Sequence, residues 1–318
     1  FNRETGEPIW PIEERPVIQT EVPGNYTSPT QPYPTRPEPL DPIVLNGLTE
    51  EFVIDYTPAL KQQALEILSD YRIGGLYVPP LPVNHNNDFI NNVGCQGGGN
   101  VIPHPPVGDP NTGIMYASHS RNCRAPGFME PTNGVDFDRT DFAIPGPGGA
   151  TPNSTPTTGT TVAAWLIGGG GGLPTIDGLR LFKPMSNQLS AFQMNTGERL
   201  WSLPVGETPE RIRNHPLLAG VEVPNTGGAG WSIQMVMGDL LVQTRALSQG
   251  GVQYAPDGPV ELHARDKFTG EVLGSVELPA PGQYGMMTYM HQDKQYIVVQ
   301  IGSIRTDFPG SLVALALP

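Results

Sequence analysis

A hairpin that recurs along the chain constrains the fold more than any other feature. The stretch LSAFQMNTGERLW, residues 189–201, predicts a strand, a tight turn at Thr196-Gly197 and a return strand that ends at Trp201. Glycine supplies the positive φ that a tight turn between strands requires. A tryptophan four residues later can bury a large aromatic surface against a neighbouring sheet. Further copies of this hairpin along the chain would indicate a repeat architecture.

Two other stretches repeat this pattern. The first residues, FNRETGEPIW, place Trp10 four residues after Gly6, and LHARDKFTGEVLG has the same turn at Gly270 but ends in Gly274 where the other copies have tryptophan. In all three copies a glutamate follows the turn. Repeated hairpins among many short strands are typical of a β-propeller or a similar radial array. The spacing of the copies predicts about four blades.

Composition agrees with an all-β fold and excludes some partners. The 318 residues contain 39 Gly and 36 Pro but only 15% charged residues, which suits a turn-rich β protein. The net charge of −13 argues against nucleic acid or an anionic membrane surface as a partner. No apolar run reaches the roughly 18 residues that a membrane-spanning helix needs. Any membrane association is therefore expected to come from residues outside this chain.

Two segments interrupt the strand pattern. Residues 21–100 are expected to form a long insertion that begins with a Pro-rich surface loop and contains one helix over about 58–72. Thr57 can cap that helix and Pro58 suits its first turn. Residues 144–172 are rich in Gly, Pro and Thr and are expected to form a flexible loop. The whole chain, 1–318, is interpreted as part of a single propeller domain.

The sequence resembles the C-terminal half of the pyrroloquinoline quinone (PQQ)-dependent dehydrogenases, specifically their membrane-type glucose dehydrogenase branch. The similar stretches include FNRETGEPIWPIEERPV, DYTPALKQQAL, DPNTGIMY, LFKPMSNQLSAFQMNTGERLWSLPVGE and MMTYMHQDKQYIVVQIG. The resemblance implies an eight-bladed quinoprotein propeller, of which this chain forms about four blades. It also implies PQQ near the ring axis with a bound Ca²⁺ or Mg²⁺.

The resemblance further implies which chemistry to expect. Enzymes of this family oxidise CH–OH groups of aldose sugars or alcohols by hydride transfer to PQQ and pass the electrons to a quinone or a cytochrome. Their catalytic Asp and the Lys that polarises PQQ lie upstream of the position that corresponds to Phe1. No catalytic residue is therefore expected in this chain, which opens within a repeat and is interpreted as a fragment.

Three residues match family positions near the cofactor. Asn100 follows the glycine-rich stretch that precedes a Trp in many relatives, although Val101 stands here in place of that Trp. Ser118 occupies a strand position that is often Asn, and Lys183 begins a Lys-Pro-Met stretch where relatives usually have Lys-Pro-Pro. The resemblance implies that Asn100, Ser118 and Lys183 contact the cofactor. Each also has a structural alternative as a turn residue, a strand end or a solvated cation.

Other candidate sites are weaker. Asp136, Asp138 and Asp141 cluster carboxylates that could hold Ca²⁺, but their spacing does not match a calcium loop, and a solvated acidic turn is the alternative. Cys95 and Cys123 are expected either to form a disulfide, if the protein is exported, or to be two free thiols. The metal ligands stay unknown at this stage.

Two functions therefore remain open from the sequence. The first is a periplasmic PQQ-dependent dehydrogenase whose catalytic residues lie upstream of Phe1. Any attachment to the inner membrane is expected to come from a segment that is also upstream. The alternative is a non-catalytic propeller scaffold or binding module that has lost cofactor binding. Gly274 and Val101, each in place of a Trp, motivate this alternative. The substrate is expected to be set by Pro- and Gly-rich loops at the mouth of the ring, whose conformations the sequence does not fix.

Overall fold

The computed structural model describes ten ranges of the chain. These are residues 1–22, 26–82, 89–95, 106–129, 166–168, 173–185, 187–228, 231–246, 260–302 and 309–316. Asn100 and the three aspartates at 136, 138 and 141 lie outside them. So does most of the predicted loop at 144–172, although Leu166–Gly168 within it forms a strand.

Within these residues the chain forms 19 strands and three short α-helices. The strands are β1 (Ile12–Pro16), β2 (Thr30–Pro34), β3 (Arg72–Ile73), β4 (Asn92–Val93), β5 (Val107–Asp109), β6 (Ile114–Ser120), β7 (Gly127–Met129), β8 (Leu166–Gly168), β9 (Thr175–Ile176), β10 (Leu179–Arg180), β11 (Asn187–Gln193), β12 (Glu198–Pro204), β13 (Trp231–Met237), β14 (Leu240–Ala246), β15 (Glu261–Asp266), β16 (Val272–Glu277), β17 (Gly282–His291), β18 (Lys294–Ile301) and β19 (Ser311–Ala316). The helices are α1 (Pro42–Asn46), α2 (Pro58–Leu68) and α3 (Glu210–Arg213), with 3₁₀ turns at Glu50–Phe52 and Pro216–Leu218.

The described strands form six sheets, of which four are two-stranded pairs and two are larger, with four and seven strands. The four-stranded sheet is the first blade, and the seven-stranded sheet comprises a second blade and a third sheet. The first blade has the strand order β12-β11-β6-β5. The second blade is a meander in which β13, β14, β15 and β16 pair in sequence order. The third sheet contains β17, β18 and β19, and one parallel pair, Ala246 with Gly282, links it to the second blade. This all-β arrangement of four-stranded meanders agrees with the predicted propeller class.

Two interfaces stack these sheets. In the first interface, between the first and second blades, Tyr116, Leu189 and Ala191 pack with Leu241 and Val236. In the second interface, between the second blade and the third sheet, Val242 and Leu262 share a cluster with Val299. Sheets buried by such face-to-face packing need a strip of apolar side chains on each facing surface. The second blade therefore has a neighbour on both faces.

Two of the three recurring turns meet at the first interface, and the tryptophan of one packs on the neighbouring sheet as predicted. The β11–β12 turn contains Gly197 and the β15–β16 turn contains Gly270, both with positive φ. A Cβ added to Gly270 would lie 3.3 Å from the Trp201 ring. The indole therefore covers the Thr-Gly turn of the next blade. Its ring centroid also lies 6.0 Å from that of Tyr116.

A helical lobe packs beside the first blade. Its core joins Ile43 of α1, Leu60 and Ala64 of α2, and Leu181 near β10. Part of the chain between β6 and β11 belongs to this lobe. The strands β6 and β11 are therefore neighbours in the first blade although they are far apart in sequence. Cys95 and Cys123 are bonded to each other inside the lobe, as one of the two sequence alternatives expected.

Helix α2 begins as predicted and ends earlier. The Thr57 hydroxyl accepts a hydrogen bond from the Leu60 amide at 3.2 Å, and Pro58 occupies the first turn. The helix stops at Leu68 because the chain then turns to pair Arg72–Ile73 with Asn92–Val93. Helix α1 lies in the Pro-rich stretch that was predicted to be a surface loop, and that prediction was wrong there because Asp41 caps the helix and Pro42 occupies its first turn. No helix in the described ranges is long and apolar enough to cross a membrane.

Candidate functional site

Ser118 lies at the first interface, where strands from two blades meet. Its side chain is buried, and its hydroxyl accepts a hydrogen bond from the Ser232 amide of β13 at 2.9 Å. β6 places Ser118 opposite Leu189 in the first blade, so the hydroxyl leaves that sheet and reaches the second blade. The hydrogen bond therefore fixes the distance between the two blades at this point.

Two polar atoms beside Ser118 are buried and have no hydrogen-bonding partner within the described residues. They are the hydroxyl oxygen of Ser232 and the side-chain carbonyl oxygen of Gln234. The amide nitrogen of Gln234 donates to the Tyr116 carbonyl at 3.4 Å, so its side-chain orientation is set. Buried polar atoms are normally satisfied by protein, water or a ligand. This part of the first interface can thus accept one more neutral polar group.

His119, the next residue on β6, belongs to a buried polar chain inside the first blade. Its Nε2 lies 3.0 Å from the Ser190 hydroxyl, which lies 2.6 Å from the Ser202 hydroxyl. Burial lowers the pKa of His119 to about 4, so its ring is neutral at pH 7. Both His119 and Ser190 are fully buried. The pair therefore aligns neighbouring strands and is not accessible as a base and nucleophile.

A buried ion pair connects the helical lobe to the first blade. Arg121 donates from Nε to one Asp41 oxygen at 2.7 Å and from Nη2 to the other at 2.9 Å. Its Nη1 donates to the carbonyls of Lys183 and Pro184 at 3.1 and 3.3 Å. Asp41 also caps α1 by accepting from the Ile43 amide. Arg121 thus orients the Lys-Pro-Met stretch, a role that no local sequence pattern indicated.

Lys183 itself is engaged by a carboxylate of the helical lobe. Its Nζ lies 2.6 Å from an Asp55 carboxylate oxygen, and both side chains are partly exposed. Its amide donates to the Phe52 carbonyl at 2.8 Å. Lys183 therefore contacts the helical lobe, whereas Ser118 contacts the second blade. The two predicted cofactor residues thus have partners in different parts of the molecule.

A second buried ion pair joins the two blades at their turns. The Lys267 Nζ lies 3.0 Å from the Asp109 carboxylate and 2.9 Å from the Gly238 carbonyl. Hydrogen bonds from Thr112 and then Lys267 lower the pKa of Asp109 to about 2. The Tyr116 hydroxyl donates to the Lys267 carbonyl at 3.0 Å. The DPNTGIMY stretch therefore joins blades, a role that its turn pattern alone did not reveal.

Metal ligands are not evident in the part of the chain that the structure describes. Among those residues no group of three or more His, Cys, Asp or Glu side chains could hold a metal ion. The buried carboxylates Asp41 and Asp109 are each engaged by a cation. Asp136, Asp138 and Asp141, which were considered as Ca²⁺ ligands, and Asn100, which was expected to contact the cofactor, lie outside the described ranges.

Comparison with known proteins identifies the family. The profile of the family described as "PQQ: Glucose/ethanol/alcohol dehydrogenase, beta-propeller domain" matches residues 1–297. The glycerol dehydrogenase large subunit of Gluconobacter thailandicus is 26% identical, over the whole of this chain and 41% of that protein. Quinoprotein glucose dehydrogenase A of Acinetobacter calcoaceticus is 26% identical and quinoprotein glucose dehydrogenase of Escherichia coli is 27% identical. Each match covers the whole of this chain and 37% of the relative.

The matched relatives are considerably longer than the chain. Its 318 residues span about two fifths of the length of the curated relatives that they match. The regions aligned include the two blades and the third sheet, because the match extends over the entire chain in each case.

Proposed function

We propose that this chain, which belongs to the PQQ-dependent glucose/ethanol/alcohol dehydrogenase β-propeller family, is part of an enzyme that oxidises CH–OH groups of sugars or alcohols. The observation behind this proposal is the family match over residues 1–297. Relatives named for glucose and glycerol support aldoses and polyols as the substrate class. PQQ would accept the hydride, and a quinone or a cytochrome would take the electrons.

The described residues do not by themselves make a complete PQQ site. PQQ carries several carboxylates, which require cations or many hydrogen-bond donors. The unpartnered oxygens of Ser232 and Gln234 are neutral and can make only one or two hydrogen bonds. Arg121 and Lys183 are already paired with Asp41 and Asp55. No reaction step is therefore derived through PQQ, and Ca²⁺ or Mg²⁺ would need ligands from outside the described residues.

We propose a supporting role for this chain in the holoenzyme. Its two blades and third sheet would form one side of the ring, while the base and the Lys that polarises the quinone would come from upstream residues. Asn100, Ser118 and Lys183 stay the proposed cofactor contacts of this chain. The unpartnered atoms beside Ser118 support its assignment. A cofactor contact of Lys183 would compete with its ion pair to Asp55.

An oxidising compartment fits the proposed location. The bond between Cys95 and Cys123 is of the kind that forms and persists outside the reducing cytosol. We propose that the protein faces the bacterial periplasm, where PQQ enzymes could pass electrons to membrane quinones or to cytochromes. Any anchorage to the inner membrane would come through an upstream segment.

Activity of the full-length protein tests this function. The protein is incubated with PQQ and either Ca²⁺ or Mg²⁺, and reduction of an artificial dye is followed with aldoses, glycerol and simple alcohols. We expect dye reduction that depends on both PQQ and metal. Ser118→Ala should weaken PQQ binding by about tenfold, the effect of losing about 1.4 kcal/mol of hydrogen bonding. Lys294→Ala, on an exposed strand end, serves as the matched control.

The scaffold alternative gives a different result in the same assay. The scaffold alternative is favoured by Gly274, because the second blade has no indole at the position where the first blade has Trp201. A scaffold would remain folded, as judged by its circular dichroism spectrum, and would bind no PQQ at micromolar concentrations of cofactor and millimolar metal. That outcome would reject the dehydrogenase function.

A further inference from the structure

A small cavity of about 30 Å³ opens at the surface of the helical lobe, beside β10 and α3. Arg180 of β10 and Arg211 of α3 line it, together with Tyr56, which precedes α2. Both arginines are exposed, so the cavity is accessible from solvent. The apolar part of its wall belongs to the cluster that forms the lobe core and consists of Ile54, Leu179, Phe182 and Ile212. The cavity is therefore a cationic opening in a mostly apolar wall.

The two guanidinium groups at this cavity have no anionic partner in the part of the chain that the structure describes. Neither Arg180 nor Arg211 forms an ion pair or a side-chain hydrogen bond there. The Cζ of Arg180 instead lies 5.5 Å from the centroid of the Phe182 ring. Although Arg180 is exposed overall, partial burial of its guanidinium lowers its pKa, and repulsion from Arg211 lowers it further. An anion between two such like charges would relieve this repulsion.

Tyr56 adds a neutral donor to the two cations. Burial, and after it the Asp55 carboxylate, raises the pKa of Tyr56 to about 12, so its hydroxyl keeps its proton at neutral pH. Among the described residues this hydroxyl has no hydrogen-bonding partner. Asp55 itself lies 2.6 Å from the Lys183 ammonium, and this ion pair reduces its repulsion of an anion in the cavity. Three donors, two of them charged, are therefore available to one ligand.

The size of the cavity selects among anions. One water molecule needs a cavity of roughly 10–15 Å³, so a volume of about 30 Å³ accommodates a group of two or three non-hydrogen atoms. A carboxylate is a planar group of three such atoms and matches the forked donors of a guanidinium. Phosphate and sulfate are tetrahedral groups of five. A carboxylate thus fits the cavity better than either of these anions.

We propose that this cavity binds the carboxylate group of a small organic acid. The carboxylate would lie between Arg180 and Arg211, and the rest of the acid would extend through the opening into solvent. The ligand would also join β10 to α3, two elements that are about thirty residues apart in the chain. The site is separate from the proposed cofactor contacts, because neither Ser118 nor Lys183 lines it.

The test uses the full-length protein and formate, an acid of three non-hydrogen atoms, as the probe. Isothermal titration calorimetry is carried out at an ionic strength held constant with sodium chloride. A ligand of this size binds at best with a roughly millimolar Kd, which is the value we expect for the wild type. Arg180→Gln and Arg211→Gln should each weaken binding about tenfold, because each removes a charge-assisted hydrogen bond. Arg124→Gln, at an exposed arginine that does not line the cavity, should bind like the wild type.

Formamide and a conservative variant separate charge from shape. Formamide has the size of formate but no charge, and we expect it to bind at least about tenfold more weakly. Arg180→Lys keeps the charge and loses the planar fork, so it should bind formate more tightly than Arg180→Gln. Circular dichroism checks that each variant is folded, and Arg180→Lys replaces a glutamine variant that is not. No binding of formate to the wild type at tens of millimolar, equal binding of formate and formamide, or unchanged affinity in either folded glutamine variant would overturn the proposal.

Discussion

The first and second interfaces bury the two faces of the same blade in different ways. The first contains the Trp201 ring, the hydrogen bond from Ser232 to Ser118 and the ion pair of Asp109 with Lys267. The second consists of aliphatic side chains around a cavity beside Gly274. Trp201 packs on the neighbouring turn at the first interface, whereas Gly274, at the same position of the recurring hairpin, has no side chain to do so. The described residues of the second interface contribute a weaker polar contact, from the Gln295 amide to the Met237 sulfur at 3.0 Å.

The largest expected effect comes from removing that ring. Trp201→Ala should lower the free energy of unfolding by about 3 kcal/mol, because it deletes a large aromatic contact and leaves a cavity. The shift in denaturation midpoint in urea, followed by circular dichroism, measures it. If the loss is below about 1 kcal/mol, the ring does not hold the first interface together.

A pair of glycine substitutions tests the contact between Trp201 and the Gly270 turn. Gly270 and Gly238 both have positive φ in turns of the second blade, so alanine strains the backbone at each by about 1 kcal/mol. At Gly270 the added methyl would also press on Leu203 and Trp201, whereas at Gly238 it meets nothing within 4 Å. We expect Gly270→Ala to cost about 1 kcal/mol more than Gly238→Ala. Equal midpoint shifts in urea would contradict the docking of the turn against Trp201.

The first blade should lose stability at a higher pH than the third sheet, because it contains the buried His119. Burial lowers the folded-state pKa of His119 to about 4, below its ordinary value, so the folded protein binds fewer protons than the unfolded chain. Stability is therefore fully present above about pH 6.5 and falls as pH drops towards 4, by no more than about 1.4 kcal/mol per pH unit. Amide exchange should show this loss in β6 and β11 before β18.

Histidine variants provide the control for this pH effect. His119→Gln should flatten the dependence between pH 6.5 and 4, whereas His291→Gln, at an exposed strand end, should leave it intact. Below about pH 4 a second loss is expected as Asp109, whose pKa is lowered to about 2, becomes protonated. If His119→Gln and the wild type have the same pH profile, His119 does not cause the loss of stability.

The smallest expected effect is at Gly274. Gly274→Ala should raise the free energy of unfolding by about 0.5 kcal/mol, because alanine is favoured over glycine within a strand and nothing lies near the added methyl. The change is opposite in sign to that of Trp201→Ala. Differential scanning calorimetry at matched concentration can resolve it. A clear destabilisation would mean that the space beside Gly274 is already occupied.

Local patterns in the sequence predicted the local structure well. The Thr-Gly turns, Trp201 and the cap at Thr57 depend on residues within a few positions of one another, and the structure confirms each. The end of α2 was predicted too late because the pairing of β3 with β4 competes with the last helical turn. Disulfide formation stayed open because spacing alone does not fix the distance between two sulfurs.

The candidate site was harder to predict because its contacts are distant in sequence. The Ser118 to Ser232 and Asp109 to Lys267 contacts each join residues more than a hundred positions apart. Family resemblance singled out Ser118 but not its partner across the interface. It could not show that Asp55 engages Lys183, because that aspartate belongs to the helical lobe. Only the packing of lobe and blades determines these partners.

A crystal structure of the full-length protein grown with PQQ and Ca²⁺ tests the central claim most directly. Our account predicts that the first and second blades and the third sheet are sectors of one ring, that Trp201 covers Gly270, and that PQQ lies near the ring axis. Sheets that do not belong to a common ring, or a ring that contains no PQQ under these conditions, would contradict it.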